Sequence, residues 1–285
     1  MSIILYGKPV SEKIRNDVSE RAAAFKSSRG AAPKLAILRA GERPDDLAYE
    51  KRVLKMCGDV GIDTEVISHP ADVSHEIFRK SLTGLNDDAD IHGILVFRPL
   101  PKQIDEVEIC SLISPEKDID CMNSENLKKI FIGDDSAIAP CTPEAVIEIL
   151  KHYKYELQGK NVVIVNRSLV LGKPLAMLFL NENSTVTVCH SKTEGLADII
   201  KNADIFVSGI GRAKYFDDRY VSEKNVVIDV GINFADGKMC GDTDLDAVSG
   251  KVQAVTPVPG GVGGVTSAVL LRHLIEAAEN SVAEL

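Results

Sequence analysis

A short polar turn in the middle of the chain has residue types that suit a phosphate ligand. It follows four consecutive β-branched residues at 162–165, which predict a buried strand, and it leads into an apolar segment that predicts a helix over 173–180. A turn of this kind directs backbone N–H groups and the positive end of the helix dipole at the ligand above it. Compared with the dinucleotide motif G-x-G-x-x-G, Asn166 and Ser168 replace the first two glycines and Gly172 remains. The turn therefore predicts a phosphate site through a partial match to that motif.

The residues after the next predicted strand, at 185–189, bear on which dinucleotide would bind. An NAD site would place Asp or Glu near this point to bind the ribose 2′-hydroxyl. The chain instead has Ser191 and Lys192 there, and Arg167 lies in the first turn. A carboxylate would repel a 2′-phosphate, whereas Arg and Ser bind it through charge-assisted hydrogen bonds. The pattern favours NADP over NAD, and the alternative is that Arg167 and Lys192 are solvated loop cations.

The segments around these turns alternate between predicted strands and helices. The strands are predicted at 35–38, 64–67, 91–97, 162–165, 185–189, 204–207 and 226–230. The helices are predicted at 10–29, 76–85, 142–155, 173–180, 196–202 and 266–278, and one more ends near Val60. Thr142 is the predicted N-cap of the helix that it begins. Such alternation implies parallel α/β architecture, and we predict two α/β domains, 1–140 completed by the C-terminal helix 266–285, and 141–265.

The composition excludes several classes of function. The chain has 285 residues, enough for two domains, and a net charge of −9 with a pI near 5.3. This acidity argues against nonspecific nucleic-acid binding and against an anionic membrane surface. The six cysteines form no C-x-x-C pair and have no histidine at zinc-ligand spacing, so we predict no metal site and a reducing compartment. With no signal peptide and no apolar run of membrane-spanning length, the cytoplasm is the expected location.

Three loops are further candidates for the walls of a site. The strand at 91–97 runs into Arg98-Pro99-Leu100-Pro101, and ligands of open parallel sheets collect beyond the carboxyl ends of strands. The loop 113–120 carries Asp118 and Asp120, and because such carboxylates are usually solvated the role of Asp120 stays open on this ground alone. The stretch 256–266 contains four glycines, which let the backbone approach a flat ligand closely.

These motifs together resemble a known family, the methylenetetrahydrofolate dehydrogenase/cyclohydrolases. They occur in the family's order and cover essentially the whole chain, so the resemblance is specific. The segments that carry it are 115–120 (PEKDID), 140–143 (PCTP), Arg167-Ser168 with Gly172 and Pro174, 190–193 (HSKT), 229–233 (DVGIN), 241–242 (GD) and 256–263 (TPVPGGVG).

The resemblance implies both a fold and an activity. It implies an N-terminal folate-binding domain and a Rossmann-type NADP-binding domain with a cleft between them, and a homodimer formed through the nucleotide-binding domain. The implied reaction is the NADP-dependent oxidation of 5,10-methylenetetrahydrofolate to 5,10-methenyltetrahydrofolate, a step of one-carbon metabolism that serves purine biosynthesis. The family's second activity, as a cyclohydrolase, converts this product to 10-formyltetrahydrofolate.

The resemblance also assigns roles to residues of this sequence. Tyr49 would stack on the folate and Asp120 would anchor the pterin, and these two are the expected catalytic residues. A carboxylate suits the pterin edge because the amino and N–H groups of the ring can donate to it as a pair. The other implied substrate contacts are Phe97, Pro259, Gly260 and Gly261. The implied cofactor contacts are Asn166, Arg167, Ser168, Gly172, Ser191 and Ile232.

Two residues depart from the family pattern where hydrolysis would be catalysed. The family carries Tyr-x-x-x-Lys on a first-domain helix, and here Val53 stands four residues after Tyr49 in place of that Lys. The family's hydrogen-bond partner for the Lys is a Gln at the end of a strand, and here Phe97 replaces it. Since residues i and i+4 share one face of a helix, neither Lys51 nor Arg52 can take over the position of the Lys.

The two half-reactions make different demands on the protein. Hydride transfer needs the methylene carbon and the nicotinamide aligned at near-contact distance, and no proton has to move. Hydrolysis moves protons from water to a folate nitrogen, which general acid/base catalysis accelerates by about 10² to 10⁴. Val53 offers no such group, and Arg98, the nearest substitute cation, is a poor base because arginine stays protonated. We therefore expect an NADP-dependent dehydrogenase with weak or absent cyclohydrolase activity.

Three other functions remain open at this stage. One is a fully bifunctional enzyme in which another group replaces the missing Lys, such as a water organised by Tyr49. A second is a noncatalytic folate- or nucleotide-binding protein, since two residues of the family's active site have changed. A third is another small-molecule dehydrogenase on a similar scaffold, which would need a Lys-Asp proton relay that the sequence does not show.

Overall fold

The computed structural model of the chain describes residues 2–235 and 237–283. The chain folds into two compact units. Unit 1 contains the N-terminal residues up to Glu12 and Pro140–Val269, and unit 2 contains Lys13–Ala139 and the residues from Leu270 onward. Each is an α/β unit with its own parallel sheet, which confirms the predicted fold class.

Strands and helices alternate along most of the chain. The strands are β1 (Ile3–Ile4), β2 (Lys34–Ala40), β3 (Asp63–His69), β4 (Gly93–Val96), β5 (Asn161–Val165), β6 (Thr185–Cys189), β7 (Ile205–Ser208), β8 (Val226–Asp229), β9 (Asn233–Ala235), β10 (Lys238–Cys240) and β11 (Ala254–Val255). The helices are α1 (Gly7–Arg29), α2 (Pro44–Asp59), α3 (His75–Asp87), α4 (Glu106–Leu112), α5 (Ser124–Ile132), α6 (Cys141–His152), α7 (Gly172–Asn181), α8 (Leu196–Lys201), α9 (Leu245–Val248) and α10 (Val262–Ala283). Within the residues that the structure describes, no helix has the length and apolar character needed to cross a membrane.

Unit 1 is built on a six-stranded parallel sheet with the strand order β1-β11-β8-β7-β5-β6. The central strands β7 and β8 are buried at every residue, as expected for parallel strands that are covered on both faces. Because the strands run in the same direction, their carboxyl ends lie at one edge of the sheet. The turns that follow β5, β6, β7, β8 and β11 therefore emerge at this edge, where ligands of such sheets bind.

Unit 2 has a three-stranded parallel sheet with the order β3-β2-β4. The helix α3 buries Phe78, Leu82 and Leu85, spaced three and four residues apart, in one core with Ile94 of β4. The C-terminal helix α10 also packs closely in this unit. A Cβ on Gly93 of β4 would lie 2.5 Å from the side chain of Leu274, so glycine is needed for this approach.

Two predicted boundaries differ from the structure. We predicted a first domain from residue 1, but β1 pairs with β11 through Ile3 and Ala254, which joins the N-terminal residues to unit 1. A two-residue edge strand carries too short a pattern to be recognised in a sequence. We predicted Thr142 as an N-cap, but α6 already begins at Cys141 and its N-cap is Pro140, which makes no side-chain cap. The short elements α4, α5, α9, β1, β9, β10 and β11 were also not predicted.

Candidate active site

The turn after β5 is organised by the side chain of Asn166. Its Oδ1 accepts hydrogen bonds from the backbone N–H and the hydroxyl of Ser168, both at 2.8 Å, and from the N–H of Gly172 at 3.0 Å. Its Nδ2 donates to the carbonyl of Gly209, in the turn after β7. A Cβ on Gly172 would lie 1.9 Å from the carbonyl oxygen of Asn166, so only glycine fits where α7 begins. Asn166 and Gly172, both predicted cofactor contacts, therefore shape the turn.

The start of α7 offers fewer backbone donors than the sequence predicted. The N–H of Gly172 is taken by Asn166, and the N–H of Lys173 donates to the carbonyl of Ser168 at 3.0 Å. The side chain of Arg167, in contrast, is exposed on the same turn. Arg167 therefore presents at this turn an exposed guanidinium, a group whose planar donors suit a phosphate.

The turn after β6 holds Ser191 and Lys192 at its tip, where both are exposed. The N–H of His190 donates to the hydroxyl of Thr193 at 2.9 Å, and the N–H of Lys192 donates to Nδ1 of His190 at 3.2 Å. The last residues of β5 and β6 are paired in register. Arg167 and Ser191 each stand two residues beyond that pair, at the same edge of the sheet.

The turn after β8 carries Ile232, whose side chain is 61% exposed. Two buried carboxylates, Asp229 and Asp242, lie on the polypeptide around it. Burial raises the pKa of Asp229 to about 6. Sequence reasoning did not assign a role to either carboxylate, because the spacing along the chain gives no sign that they belong to one network.

The turn after β11 carries Pro259, Gly260 and Gly261, the predicted substrate contacts of unit 1. Pro259 and Gly260 are exposed, and the carbonyl of Gly260 accepts a hydrogen bond from the N–H of Gly7 at 2.8 Å. Gly260 has a φ of +104°, which favours glycine. A Cβ on Gly261 would lie 2.5 Å from the carbonyl oxygen of Pro257. The backbone therefore favours glycine at both positions, and at the exposed Gly260 the turn carries no side chain.

In unit 2, Tyr49 of α2 and Phe97 after β4 form an aromatic pair. Their ring centroids are 5.3 Å apart, and the guanidinium carbon of Arg52 lies 5.3 Å from the centroid of the Tyr49 ring. Tyr49 is half-buried, whereas Phe97 is 6% exposed and Val53, one turn further along α2, is 0% exposed. The position of the family's Lys is thus filled by an apolar and fully buried side chain.

Arg98, the substitute cation considered above, is held by an acidic partner. Its Nη1 lies 3.5 Å from a carboxylate oxygen of Glu106 in α4. The other carboxylate oxygen of Glu106 accepts the N–H of Leu100 at 3.0 Å. Arg98 therefore has a carboxylate partner at the surface, and because its guanidinium stays protonated it supplies no proton acceptor.

The loop that carries Asp120 is more ordered than the sequence predicted. Asp118 is buried, and its carboxylate accepts from the backbone N–H groups of Met122 and Asn123, both at 2.8 Å, and from Nδ2 of Asn126 at 3.1 Å. Burial nonetheless raises the pKa of Asp118 above the usual aspartate value. The expectation that both carboxylates of this loop are solvated is wrong for Asp118, whereas Asp120 is half-buried.

A second contact fixes the same loop from the C-terminal helix. Nδ1 of the buried His273, on α10, lies 2.9 Å from the carbonyl oxygen of Ile119. A carbonyl only accepts, so this ring nitrogen carries the proton. Asp120 is therefore presented by a loop that is held at the residue before it and at Asp118.

An ion pair between the buried Arg39 and the half-buried Glu50, which we did not predict, lies next to Tyr49 in sequence. Nε of Arg39, at the end of β2, is 2.6 Å from a carboxylate oxygen of Glu50 in α2. Nη1 of Arg39 donates to the carbonyl of Gly41, also at 2.6 Å. Because Glu50 follows Tyr49 directly, this pair fixes the part of α2 that carries Tyr49 to the sheet.

The described residues contain no group of three or more His, Cys, Asp or Glu side chains that could hold a metal ion. All six cysteines are free thiols. Burial raises the pKa of Cys57 to about 12, so this thiol stays protonated and unreactive.

Comparison with known proteins gives matches over nearly the whole chain. Two family models match it, the catalytic domain of tetrahydrofolate dehydrogenase/cyclohydrolase over residues 5–120 and the NAD(P)-binding domain of the same family over residues 140–282. The chain is 51% identical over 281 residues to "Bifunctional protein FolD 1" of Desulfitobacterium hafniense, which covers 98% of this chain and 100% of that protein. The first model covers Tyr49 and Asp120, and the second covers the polar turns of unit 1.

Solved structures give the same result. The structure of the bifunctional FolD methylenetetrahydrofolate dehydrogenase/cyclohydrolase of Campylobacter jejuni matches with a TM-score of 0.95 and 36% identity, over 98% of this chain and 99% of that chain. A methylenetetrahydrofolate dehydrogenase-cyclohydrolase of Trypanosoma brucei, solved with NADP cofactor and an inhibitor, matches with a TM-score of 0.92 and 34% identity, over 99% and 98% of the two chains.

Proposed function

The chain belongs to the tetrahydrofolate dehydrogenase/cyclohydrolase family, and we propose that it oxidises 5,10-methylenetetrahydrofolate to 5,10-methenyltetrahydrofolate with NADP. In this proposal unit 2 binds the folate and unit 1 binds the dinucleotide. Family membership agrees with the prediction from the sequence motifs. The observation that carries the choice of NADP is the pair Arg167 and Ser191 at the ends of adjacent strands.

The strand order of unit 1 supports the orientation of the dinucleotide. β5 lies between β6 and β7, and its turn is the proposed pyrophosphate site. The adenosine half then belongs over β6, where Arg167 and Ser191 can bind its 2′-phosphate. The nicotinamide half belongs over β7 and β8, where Ile232 is exposed. The end of β6 carries no carboxylate that would repel the phosphate.

The residues of unit 2 support folate as the substrate. The rings of Tyr49 and Phe97 provide an apolar wall for a flat heterocycle, and Asp120 provides a carboxylate for its amino and N–H donors. Bound NADP supplies the acceptor for a hydride from the methylene carbon. The folate nitrogens stabilise the resulting cation, so the side chains have to bind and orient and no proton carrier is needed.

The test is to mix the protein with methylenetetrahydrofolate and either NADP or NAD and to follow the absorbance of the reduced nicotinamide. We expect reduction with NADP and a KM for NAD at least about tenfold higher, since the 2′-phosphate contacts are lost. A protein that binds both ligands without reducing NADP would be a noncatalytic binder, and the proposal would be wrong.

We further propose that this chain hydrolyses the methenyl product weakly or not at all; we call this the hydrolysis proposal. It is supported by the burial of Val53 and Phe97, which replace the Lys and Gln of the family pattern, and by the pairing of Arg98 with Glu106. The observation that favours full bifunctionality is that relatives at 51% identity are named bifunctional FolD proteins. If the hydrolysis proposal is correct, methenyltetrahydrofolate should accumulate during the dehydrogenase assay. If the chain is bifunctional, methenyltetrahydrofolate should disappear as fast as it forms.

We also propose a homodimer formed through unit 1. The hairpin of β9 and β10 exposes Phe234 and Met239, which are register partners, and the edge strand β6 exposes Val188. Exposed apolar side chains of this size on an edge strand and a hairpin favour burial against a second copy. Sedimentation of the protein should give twice the mass of the chain, and Phe234→Asp should shift it toward the monomer. A monomeric wild type would contradict this proposal.

A further inference from the structure

Two buried carboxylates, Asp229 and Asp242, lie beneath the turns at the carboxyl ends of β7 and β8. Asp242 is 0% exposed, and Asp229 is buried almost as completely. Among the residues that the structure describes, the partners found for both are backbone N–H groups and polar uncharged side chains. A buried charge is costly unless its oxygens are satisfied, so this network has a defined geometry that small changes would disturb.

Asp242 joins the turn after β7 to the turn after β8. Its Oδ2 accepts from the backbone N–H groups of Ile210 and Gly211, the latter at 3.3 Å. Its Oδ1 accepts from the N–H of Arg212 at 2.8 Å and from Nδ2 of Asn233 at 2.9 Å. One carboxylate thus fixes three consecutive peptide groups in one turn and a side chain in the other.

Asp229 fixes the segment that carries Asp242. Its Oδ1 accepts from the N–H of Gly231 at 2.9 Å, from the N–H of Asp242 at 3.1 Å and from the hydroxyl of Ser208 at 3.2 Å. Its Oδ2 accepts from the N–H of Thr243 at 2.7 Å. The end of β8, the turn that follows it and the segment after β10 are therefore held by one side chain.

Two glycines leave the space that these carboxylates occupy. A Cβ on Gly231 would lie 2.3 Å from Cγ of Asp242, and a Cβ on Gly241 would lie 2.0 Å from Oδ2 of Asp229. Since real Cβ atoms do not approach other atoms so closely, the glycines and the carboxylates depend on one another. The sequence around this edge of the sheet therefore accommodates the two carboxylates specifically.

Ile232 stands between the two tethered residues. The residue before it donates to Asp229 and the residue after it donates to Asp242, yet its own side chain points to the surface and is 61% exposed. We propose that Asp242, supported by Asp229, is a positioning residue that holds Ile232 and the Ile210–Arg212 turn against the nicotinamide half of the bound dinucleotide. This inference rests on the proposed function, because it takes NADP as the ligand of unit 1.

Three variants test the inference in the full chain. Asp242→Asn is the main variant. Each carboxylate oxygen of Asp242 accepts two N–H donors. In the variant an NH2 group replaces one of these oxygens and faces two donors, so two hydrogen bonds are lost in either orientation of the amide. Asn233→Ala removes one tether of Ile232 and leaves the carboxylate in place. Asp246→Asn is the matched control, since it makes the same change at a side chain in the same unit that is 95% exposed.

Calorimetric titration with NADP and with adenosine 2′,5′-bisphosphate separates the two halves of the site. We expect Asp242→Asn to raise the Kd for NADP by about tenfold and to leave the Kd for the bisphosphate within about twofold of wild type. Asn233→Ala should raise the Kd for NADP by about threefold, and Asp246→Asn should change neither value. In the dehydrogenase assay the KM for NADP should rise in Asp242→Asn and the KM for the folate should not.

The outcomes distinguish the inference from the proposed function. If wild type binds NADP and a folded Asp242→Asn protein binds it as tightly, the inference is wrong and the proposed function stands. Equal weakening of both ligands would also contradict it, because that is the result of general loss of structure. If Asp242→Asn does not fold, as judged by circular dichroism, an unchanged Kd for NADP in Asn233→Ala overturns the inference. If wild type binds no NADP, the proposed function itself fails.

Discussion

Replacing Val53 and Phe97 by the family's pair should create or strengthen hydrolytic activity. Val53→Lys alone places an ammonium group at a position that is 0% exposed. If burial lowers the pKa of this lysine by about 3, the cost in folding free energy is roughly 4 kcal/mol, a large part of the 5–15 kcal/mol that is typical of a domain. Phe97→Gln supplies an acceptor for the ammonium group, and a hydrogen bond to a charged group returns roughly 1.5–3 kcal/mol. The double variant should therefore be more stable than Val53→Lys alone.

The assay is the turnover of methenyltetrahydrofolate hydrolysis, with the dehydrogenase rate measured on the same protein. The double variant should hydrolyse at least about 10²-fold faster than the parent, which is the lower part of the range for a positioned acid/base group. Val53→Met with Phe97→Gln is the matched control, because methionine fills a similar volume and carries no proton. This control should hydrolyse as slowly as the parent.

A double variant that folds, keeps its dehydrogenase rate and hydrolyses no faster than the methionine control would contradict this prediction. The prediction is also refuted if the control gains as much as the lysine variant, because the gain would then come from space for water and not from a proton carrier.

Three further predictions concern single side chains. Arg167→Ala should raise the KM for NADP by about tenfold and leave the KM for NAD within about twofold of wild type, both measured from initial rates. An equal rise in both KM values would contradict the assignment of Arg167 to the 2′-phosphate. Asp120→Asn should raise the KM for the folate by at least about tenfold without changing that for NADP, since it replaces one of the two acceptor oxygens by an NH2 group that would face a donor, and unchanged kinetics would remove Asp120 from the site. Burial raises the pKa of Asp229 from the ordinary 3.8 to about 6, so between these values the folded chain holds a proton that the unfolded chain releases. The free energy of unfolding should then fall by roughly 2 kcal/mol as the pH rises from about 4 to about 6, and denaturant unfolding should show this fall in wild type but not in Asp229→Asn; equal slopes would contradict the assignment.

The long elements of the fold could be predicted because each carries its own pattern. The β-branched run of β5 predicts a strand, and the three- and four-residue spacing of apolar residues in α3 predicts a helix, each without reference to the rest of the chain. The edge strand β1 could not be recognised, since two residues have no period and the pairing with β11 is distant in sequence. The N-terminal boundary of unit 2 was missed for the same reason.

The proposals for the site start from residue types whose chemistry does not depend on a distant partner. Arg167 and Ser191 are a cation and a hydroxyl, which suit a phosphate, and Val53 carries no group that could transfer a proton. Both roles stay predictions. Residues whose role depends on a distant partner could not be found from one sequence. Asp242 is an example, because it is bonded to the turn after β7, some thirty residues earlier. The predicted solvation of Asp118 was wrong for another reason: its donors are near in sequence, but they converge on it only through a loop conformation that residue types do not specify.

One ratio tests most directly whether this chain catalyses the dehydrogenase step without the hydrolysis. The turnover of methenyltetrahydrofolate hydrolysis should be divided by the turnover of NADP reduction, both measured on the same wild-type preparation. A protein that only has to align a hydride donor and acceptor should give a ratio below about 0.01, because it lacks the 10²-fold or greater contribution of an acid/base group. A ratio near one would contradict the account and would mean that this chain hydrolyses its product without the family's lysine.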